Sequence, residues 1–439
     1  MSEELTRPPE EDAPATAPPA PQPRGLGRPF WTLWSATTLT NLGQGATGIA
    51  FPWLATTLTS DPVLVALAAA AQRLPWLLFS LPAGVLADRL DRRRVMVAMS
   101  AARAAAVGLV GLLVALDALT LPLLLACALL LGFGEVLFDN TSQVLLPSVV
   151  PRDRLTRANG RLMSTMIVTE DFLARPLGGA LTGLALAAPF FFDAGAAALA
   201  LVALLLLPGS YRAAAPGGAG AAGVRSMRRE IAEGLGWLWR HTVLRRLALT
   251  LGAVTGALSA AQAVYVLYAQ EVLGLGPVAF AVLASAGGLG ALLGGFLAAP
   301  VSRRLGPSGV LSAVLAVDVV VYAIAGLASH AVLVGAAMSV SGFGVVLWNV
   351  VTVSLRQTVI PDHLLGRVNG AYRLLGWGAI PLGMAAGGAL AALTEPLWGR
   401  EASLRVPLLV AAASLALTAL FVRRRLSPRI LRETLGETP

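Results

Sequence analysis

The chain has 439 residues, of which 56% are hydrophobic and 13% are charged, and its net charge is +9. Soluble domains are about a quarter charged, so this composition excludes an ordinary soluble protein and indicates a polytopic membrane protein. The positive charge would suit a nucleic-acid binder, but the basic residues are all arginines and fall in short segments between apolar runs. Because they do not form one patch, we expect no nucleic-acid partner.

Other residue counts argue against several kinds of chemistry. The one cysteine, Cys127, lies in an apolar run, so no disulfide within the chain is possible, and the three histidines lack ligand spacing. The sequence contains no Gly-Lys-Ser/Thr segment of a phosphate-binding loop, so ATP is not expected to be the energy source. We therefore expect neither an enzyme nor a bound metal or cofactor.

The first 28 residues contain seven prolines and an acidic cluster. That composition cannot bury enough surface to fold, so residues 1–28 are predicted to form a disordered cytoplasmic tail. Apolar runs long enough to cross a lipid bilayer then follow one another. They occupy residues 30–58, 62–87, 94–117, 120–146, 160–187, 189–208, 244–271, 277–300, 308–328, 331–356, 370–394 and 403–422. These runs predict an all-α membrane protein with twelve transmembrane helices, numbered below as spans one to twelve.

Arginines in the connections predict the orientation. They occur in alternate loops, except that Arg400 and Arg405 lie in the last outer loop together with Glu395 and Glu401. The positive-inside rule then places both termini in the cytoplasm of a multi-pass protein in a bacterial-type inner membrane. The one long connection has Ile231, Leu235, Leu238 and Trp239 at helical spacing opposite charged residues, which predicts an amphipathic helix on the inner membrane face. The predicted domains are two six-helix bundles at 29–208 and 243–425, a linker at 209–242 and a second cytoplasmic tail at 426–439.

The two predicted bundles repeat each other at an offset of 210 residues. Aligned segments are Gly132-Phe133-Gly134 with Gly342-Phe343-Gly344, Arg157-Ala158-Asn159-Gly160 with Arg367-Val368-Asn369-Gly370, and, after a slip of one residue, Gly178 to Leu181 with Gly387 to Leu390. From Gly132 to Gly160, 12 of 29 positions are identical to their counterparts. An internal repeat of this size is typical of secondary transporters.

The loop after span two carries most of the local charge. Its residues include Gly84, Asp88, Arg89, Arg92, Arg93 and Arg94. These residues resemble the loop signature that follows helix two in the major facilitator superfamily of secondary transporters. Further segments resemble the branch of that superfamily containing the enterobactin exporter and macrolide efflux proteins. They are Arg73 to Trp76, Leu146 to Gly160, Pro176 to Gly179, Pro189 to Asp193 and Glu230 to Arg240 with Arg245 and Arg246.

The resemblance covers residues 30–425 and implies the major facilitator fold, alternating access and proton-coupled efflux of amphiphilic small molecules, drug-like or siderophore-like. Two alternatives stay open: a proton-coupled uptake permease for nutrients, and a non-transporting membrane scaffold or sensor with this fold. Two positions depart from the branch, because Gln44 stands where an acid is usual and Arg175 replaces the glycine before Pro176. Asp88 is expected to form a latch with the start of span eleven that closes the cytoplasmic side.

Ionisable residues within apolar runs are costly, at roughly 3 kcal/mol each on insertion scales, so each needs a partner or a function. Glu135 and Asp139 lie about one helical turn apart on span four, where their mutual repulsion favours an exchangeable proton. The alternative for these two is a static ion pair with Arg73 or Arg103. Asp318, near the middle of span nine, is a further candidate for proton coupling.

Span five carries three charged residues next to its Pro176-Leu177-Gly178-Gly179 signature. Asp171 and Arg175 are spaced i, i+4, so we expect a local ion pair between them. That pairing would leave Glu170 near mid-membrane without an obvious partner. Glu170 is therefore the leading candidate for a proton-coupling carboxylate, with binding of a cationic substrate as a second use.

Polar and aromatic residues on other spans are candidates for a substrate cavity. Tyr265 and Tyr268 share one face of span seven, where they would supply aromatic walls with hydroxyl tips, although an interfacial aromatic belt is the alternative. Asp193, near the outer end of span six, is interpreted as an interfacial hydrogen-bonding group. The other cavity candidates are Asn41, Gln44, Gln262, Trp348 and Asn349.

Overall fold

The computed structural model describes residues 25–209, 211 and 221–425, and within these ranges the chain is helical without a β-strand. The predicted disorder of the two tails falls on residues 1–24 and 426–439, outside the described residues. The α-helices are α1 (Arg28–Leu58), α2 (Pro62–Arg89), α3 (Arg92–Ala115), α4 (Leu121–Val149), α5 (Leu155–Ile167), α6 (Arg175–Leu184), α7 (Ala188–Leu205), α8 (Ala221–Arg240), α9 (Thr242–Leu267), α10 (Pro277–Leu327), α11 (Ala331–Val359), α12 (Asp362–Trp398) and α13 (Arg400–Arg425). Two π-helical segments, Val168–Ala174 and Tyr268–Val272, join α5 to α6 and extend α9.

Nine of these helices, counted over the described residues, are long and apolar enough to cross a membrane. Helix α10 counts once, although its 51 residues would measure about 77 Å, more than twice a bilayer core of about 30 Å. Gly306, with a φ of 66°, divides it into two arms at the predicted turn between spans eight and nine. The all-α membrane fold is thus confirmed, and the number of twelve spans stays a prediction.

Local sequence determines where several spans begin. The carboxylates of Asp61 and Asp91 accept hydrogen bonds from the backbone N–H groups of Val63 (2.8 Å) and Arg94 (3.0 Å), which caps α2 and α3. Proline stands in the first turn of α1, α2, α4, α7 and α10, where its missing N–H leaves no hydrogen bond unmade. The Asp91 cap starts α3 directly at the arginine-rich loop.

Duplicated glycines let helices approach closely within each bundle. A Cβ atom at Gly178 would collide with the backbone of Ala46 on α1. A Cβ atom at its counterpart Gly387 would collide with the backbone of Ala260 on α9. Small residues at such contacts allow helix backbones to pack at van der Waals distance in a membrane. The repeat detected in sequence is therefore also a repeat of packing.

The next glycine in each copy serves the contact between the bundles. A Cβ atom at Gly179 would collide with Ala281 at the start of α10. A Cβ atom at Gly388 would collide with Ala66 at the start of α2. The two bundles therefore pack against each other through α6 with α10 and through α12 with α2, as expected for two copies related by a pseudo-twofold axis.

The bundles are locked together at their predicted outer end. The Arg400 guanidinium forms ion pairs with Glu271 (2.8 Å) and Glu395 (3.0 Å) and donates to the carbonyl oxygen of Ser60 in the first bundle (2.6 Å). Because these partners come from both bundles, they close that end of the molecule.

The arginine-rich loop lies at the opposite end. Arg93 donates to the carbonyl oxygens of Leu204 and Leu205, and Arg92 donates to Ser148, all in the first bundle. Gly84, Asp88 and Arg89 belong to α2, but the side chains of Asp88 and Arg89 lie outside the described residues, so the proposed Asp88 latch stays a prediction.

The linker contains the helix α8. Its Leu238 is fully buried against the second bundle, whereas Trp239 is 47% exposed. Glu233 forms an ion pair with Arg367 at the start of α12 (2.9 Å). The amphipathic helix expected from the sequence thus docks on the second bundle. The domain boundaries themselves stay a prediction.

Candidate substrate and proton-coupling site

Glu135 occupies a mostly buried position on α4 and is held by two residues of α2. Its Oε1 atom lies 3.5 Å from Nη1 of Arg73 and accepts a hydrogen bond from Nε1 of Trp76 (3.3 Å). The Glu135 side chain is 17% exposed and that of Arg73 is 47% exposed. The contact is therefore long and partly solvated, of the kind that a ligand or a proton can replace.

Two tryptophans connect this carboxylate to the second bundle. The rings of Trp76 and Trp377 meet edge to face, with centroids 5.2 Å apart. Cζ of Arg373, one helical turn before Trp377, lies 4.3 Å from the centroid of the Trp377 ring. We call Arg73, Trp76, Glu135, Arg373 and Trp377 the inter-bundle seam.

The sequence did not indicate the two seam residues of the second bundle. Arg373 and Trp377 were not among the candidates, although an arginine and a tryptophan at helical spacing recur in α2 as Arg73 and Trp76. This shared pattern, a cationic side chain near an aromatic ring on the same helix, could have indicated the residues of the seam. The two copies do not occupy equivalent positions of the repeat, so the offset of 210 residues could not reveal them.

A small cavity of about 110 Å³ lies beside Glu135 inside the first bundle. Its lining includes Gln44 of α1, Arg103 of α3 and Phe138 of α4. Drug-sized ligands occupy roughly 300–1,000 Å³, so this cavity suits water or a proton path and not a whole substrate.

Arg103 pairs with Asp193, so the alternative in which Arg103 pairs with Glu135 or Asp139 is wrong, whereas the alternative pairing of Glu135 with Arg73 is found. Nη2 of Arg103 lies 2.6 Å from Oδ2 of Asp193, which also accepts from Thr47 (3.0 Å). The Asp193 carboxylate is fully buried, and the Arg103 side chain is 10% exposed. The interpretation of Asp193 as an interfacial group is therefore wrong, because its carboxylate is half of a buried ion pair that ties α3 to α7 and α1.

Asp139 differs from the other acids of the first bundle. In the part of the chain that the structure describes, it forms neither a hydrogen bond nor an ion pair. The negative charges of Glu135 and Glu170 act on it, and so does the positive charge of Arg103. Three carboxylates of α4 and span five thus gather in one region of the first bundle.

The π-helical segment changes the predicted pairing in span five. Glu170 faces Arg175: Oε1 of Glu170 lies 3.8 Å from Nη2 of Arg175. The Arg175 N–H donates to the Glu170 carbonyl, five residues earlier, and this wider turn brings positions i and i+5 onto one face. The expectation that Glu170 lacks a partner is therefore wrong. The Asp171 side chain lies outside the described residues.

Span five also contacts the second bundle through its charged group. Nη1 of Arg175 donates to the carbonyl of Ala284 on α10 (3.4 Å). Pro176 follows in the first turn of α6, where proline is tolerated. The replacement of glycine by Arg175 thus adds a contact between the bundles next to Glu170.

The tyrosines of span seven are buried in the second bundle. Tyr268 is fully buried, and its hydroxyl donates to the carbonyls of Ala325 (2.6 Å) or Ala328 (2.9 Å), so it lines no cavity in this conformation. Tyr265 stacks on Tyr268 at 6.3 Å and is 8% exposed, and its hydroxyl has no partner among the described residues.

The remaining candidates are distributed over both bundles. Asp318 is buried and accepts a hydrogen bond from Ser341 (2.7 Å). Asn41 and Trp348 are buried, and Gln262 and Asn349 are exposed. None of these residues is part of the inter-bundle seam.

Two homologous helical bundles that meet along a seam of aromatic and charged residues are the architecture of many secondary transporters. The chain belongs to the Major Facilitator Superfamily, whose family model matches residues 33–384. The multidrug efflux pump Tap of Mycolicibacterium fortuitum is 30% identical over 380 residues, which cover 83% of this chain and 89% of that protein.

Solved structures show the same fold at low sequence identity. The nucleoside transporter NupG superposes with a TM-score of 0.70 at 12% identity, over 91% of this chain and all of that chain. A bacterial homologue of the iron transporter ferroportin, in the inward-facing state, gives a TM-score of 0.68 at 18% identity, over 92% and 100% of the two chains.

Proposed function

We propose that the protein exports amphiphilic, drug-like small molecules from the cytoplasm in exchange for protons. The inter-bundle seam is the observation that carries this proposal, because it places aromatic rings from both bundles next to one carboxylate. The relatives named as multidrug efflux pumps support the direction and the substrate class. Siderophore-like amphiphiles are the second substrate class of this proposal.

The seam suits a flat amphiphile that carries a positive charge. Trp76 and Trp377 offer ring faces and edges for stacking, and the Glu135 carboxylate provides the counter-charge. A bound cation would replace Arg73 and Arg373 at these groups. Because the two tryptophans belong to different bundles, rocking of the bundles would separate them and lower the affinity for the substrate.

Protons would compete with the substrate at the carboxylates of the first bundle. A proton neutralises a carboxylate in the same way as a cationic substrate, so the two cannot occupy Glu135 together. Asp139, without a hydrogen-bond partner in the described part of the chain, and Glu170, in a loose ion pair, are the positions to which a proton can pass. Exchange of substrate for a proton would then couple efflux to the proton gradient.

Proton movement in energised inside-out vesicles tests the proposal. We expect lipophilic cations or macrolides to dissipate the pH gradient with wild-type protein and not with Glu135→Gln or Glu170→Gln. Glu401→Gln is the matched control, because Glu401 is 68% exposed at the predicted outer rim. Substrate movement that leaves the pH gradient unchanged would refute proton coupling, and the absence of movement for every compound would refute export.

A second experiment tests the seam as the substrate site. Trp377→Ala should raise the KM for aromatic cations by about tenfold, since stacking and cation–π contact are lost. Trp398→Ala is the matched control on the same helix, because Trp398 is exposed at the far end of α12. Equal effects of the two changes would show that Trp377 does not touch the substrate.

A further inference from the structure

An open cleft of about 420 Å³ lies between α1 and α5 at the predicted cytoplasmic end, away from the inter-bundle seam. Its lining consists of Trp31, Trp34, Arg157, Gly160, Arg161, Ser164 and Thr165. Four of these seven residues carry guanidinium or hydroxyl groups that can donate hydrogen bonds, and none of the seven is acidic. The lining of the cleft therefore favours the binding of an anion.

The donors are arranged on one face of α5. Arg157, Arg161 and Ser164 follow one another at helical spacing, i, i+4 and i+7. Cζ of Arg161 lies 5.1 Å from the centroid of the Trp31 ring, so a cation–π contact with the indole orients this guanidinium. Trp34 donates to Thr165 (3.0 Å), which fixes the wall of the cleft.

Neither guanidinium has a counter-ion among the residues that the structure describes. Over the described residues, Arg157 and Arg161 form no ion pair and no hydrogen bond. Two like charges one turn apart repel each other, and an anion between them would relieve that repulsion.

The second copy of the repeat shows what such an arginine binds. Arg367 is the counterpart of Arg157, and it pairs with the Glu233 carboxylate of α8 at 2.9 Å. Gly234 lies directly against the backbone of Arg367, so α8 covers this position. The first bundle presents the same arginine, together with Arg161, to an open cleft instead.

We propose that this cleft binds the phosphate group of an anionic phospholipid of the inner leaflet. Guanidinium groups bind phosphate in a forked, charge-assisted geometry, and the Ser164 hydroxyl supplies a further donor. Tryptophans are typical of the headgroup level of a membrane, where Trp31 and Trp34 stand on the predicted topology. The lipid would supply to the first bundle the negative charge that Glu233 supplies to the second.

Lipid binding to the purified full-length protein tests this assignment by native mass spectrometry in titrations with phosphatidylglycerol or phosphatidylcholine. We expect a first phosphatidylglycerol to bind more tightly than phosphatidylcholine. The double variant Arg157→Gln/Arg161→Gln should weaken phosphatidylglycerol binding by about 30-fold, as expected for two basic residues at a membrane surface. Arg157→Lys/Arg161→Lys keeps the charge and should retain most of the binding, which separates loss of the anion site from loss of fold.

Three controls test whether the bound anion is the lipid headgroup. Arg303→Gln/Arg304→Gln removes an equal charge from two exposed arginines elsewhere and should leave the affinity unchanged. Inorganic phosphate should not displace the lipid, and displacement at equal concentration would identify a site for free phosphate. Removal of residues 2–24, which include five acidic residues, should not strengthen lipid binding. A stronger affinity after that removal, or an unchanged affinity in the double glutamine variant, would overturn the proposal.

Discussion

The two bundles share their packing but not their charges. The glycine pairs Gly178-Gly179 and Gly387-Gly388 make equivalent contacts, the first of each pair within its bundle and the second across the interface. The acids of the first bundle are not repeated, because at the offset of 210 residues Glu135 corresponds to Val345. Asp139 likewise corresponds to Asn349.

This difference suggests that helix packing and ion binding place separate demands on the two bundles. Close helix contacts are needed in both copies, since each bundle must move as a rigid body and must meet the other along two helix pairs. Ionisable groups are costly in a bilayer and are kept only where they have a partner or a use. We infer that the first bundle carries the ion chemistry and that the second bundle supplies the opposing wall through Trp377.

The largest change in stability is expected from substitutions of the buried acids, whose surroundings differ between the two bundles. Asp193→Asn leaves the buried Arg103 guanidinium without a counter-charge, which should cost about 3–5 kcal/mol of stability. Asp318→Asn in the second bundle should cost about 1 kcal/mol or less, because the amide oxygen can still accept from Ser341. Thermal unfolding of the two purified variants in the same detergent measures the difference.

The double variant Arg103→Met/Asp193→Leu is the control for this comparison. It removes both charges and should recover most of the stability lost in Asp193→Asn, since no unpaired charge remains buried. Equal melting temperatures for Asp193→Asn and Asp318→Asn would show that Arg103 does not depend on the Asp193 charge.

A smaller effect tests the shared part of the comparison. Gly178→Ala and Gly387→Ala should each lower stability by about 1–3 kcal/mol, because the added methyl group meets the backbone of a neighbouring helix. Gly48→Ala and Gly195→Ala are matched controls with open space at the Cβ position, and they should be neutral or slightly stabilising. Thermal unfolding checks all four. A large loss in only one of the first two would mean that the bundles do not share this packing.

The sequence predicted the fold and its duplication because both depend on patterns of many residues. Apolar runs indicated membrane helices, and the repeat offset paired Gly178 with Gly387 before any contact was known. Apolar residues at helical spacing also indicated the linker helix, whose Glu233 pairs with Arg367 in the structure.

The pairing of charges could not be predicted in the same way. In a regular α-helix Asp171 is the neighbour of Arg175, and only the wider π-helical turn brings Glu170 there. Asp193 and Arg103 lie 90 residues apart, and their contact depends on how three helices pack. Trp377 could not be identified without knowing which helix of the second bundle faces α2. These features arise from packing between helices, which spacing along the chain does not encode.

The smallest expected effect is on the pH dependence of stability, and it concerns the helix that starts each bundle. His241 precedes α9 outside the predicted spans, its Nδ1 accepts from the Leu244 N–H (3.4 Å), and its ring stacks on Trp237. The corresponding position before α1 is Gly27, which has no side-chain cap. Burial lowers the pKa of His241 from its usual value of 6.5. Only the neutral ring can accept at this cap, so the start of the second bundle alone should respond to mild acid.

The direction of the pH effect follows from this lowered pKa. The unfolded chain takes up a proton near pH 6.5, whereas folded His241 does so only at lower pH, so its contribution to stability is present above about 6.5 and is lost as the pH falls below that value. His241→Asn keeps a capping oxygen that does not titrate, and it should therefore show a smaller fall in melting temperature between about pH 8 and about pH 5.5 than the wild type does. His330→Asn changes a histidine whose side chain caps no helix and should leave the wild-type pH dependence intact. If the wild type and His241→Asn lose stability in parallel, other groups control the response, and the bundles do not differ in this respect.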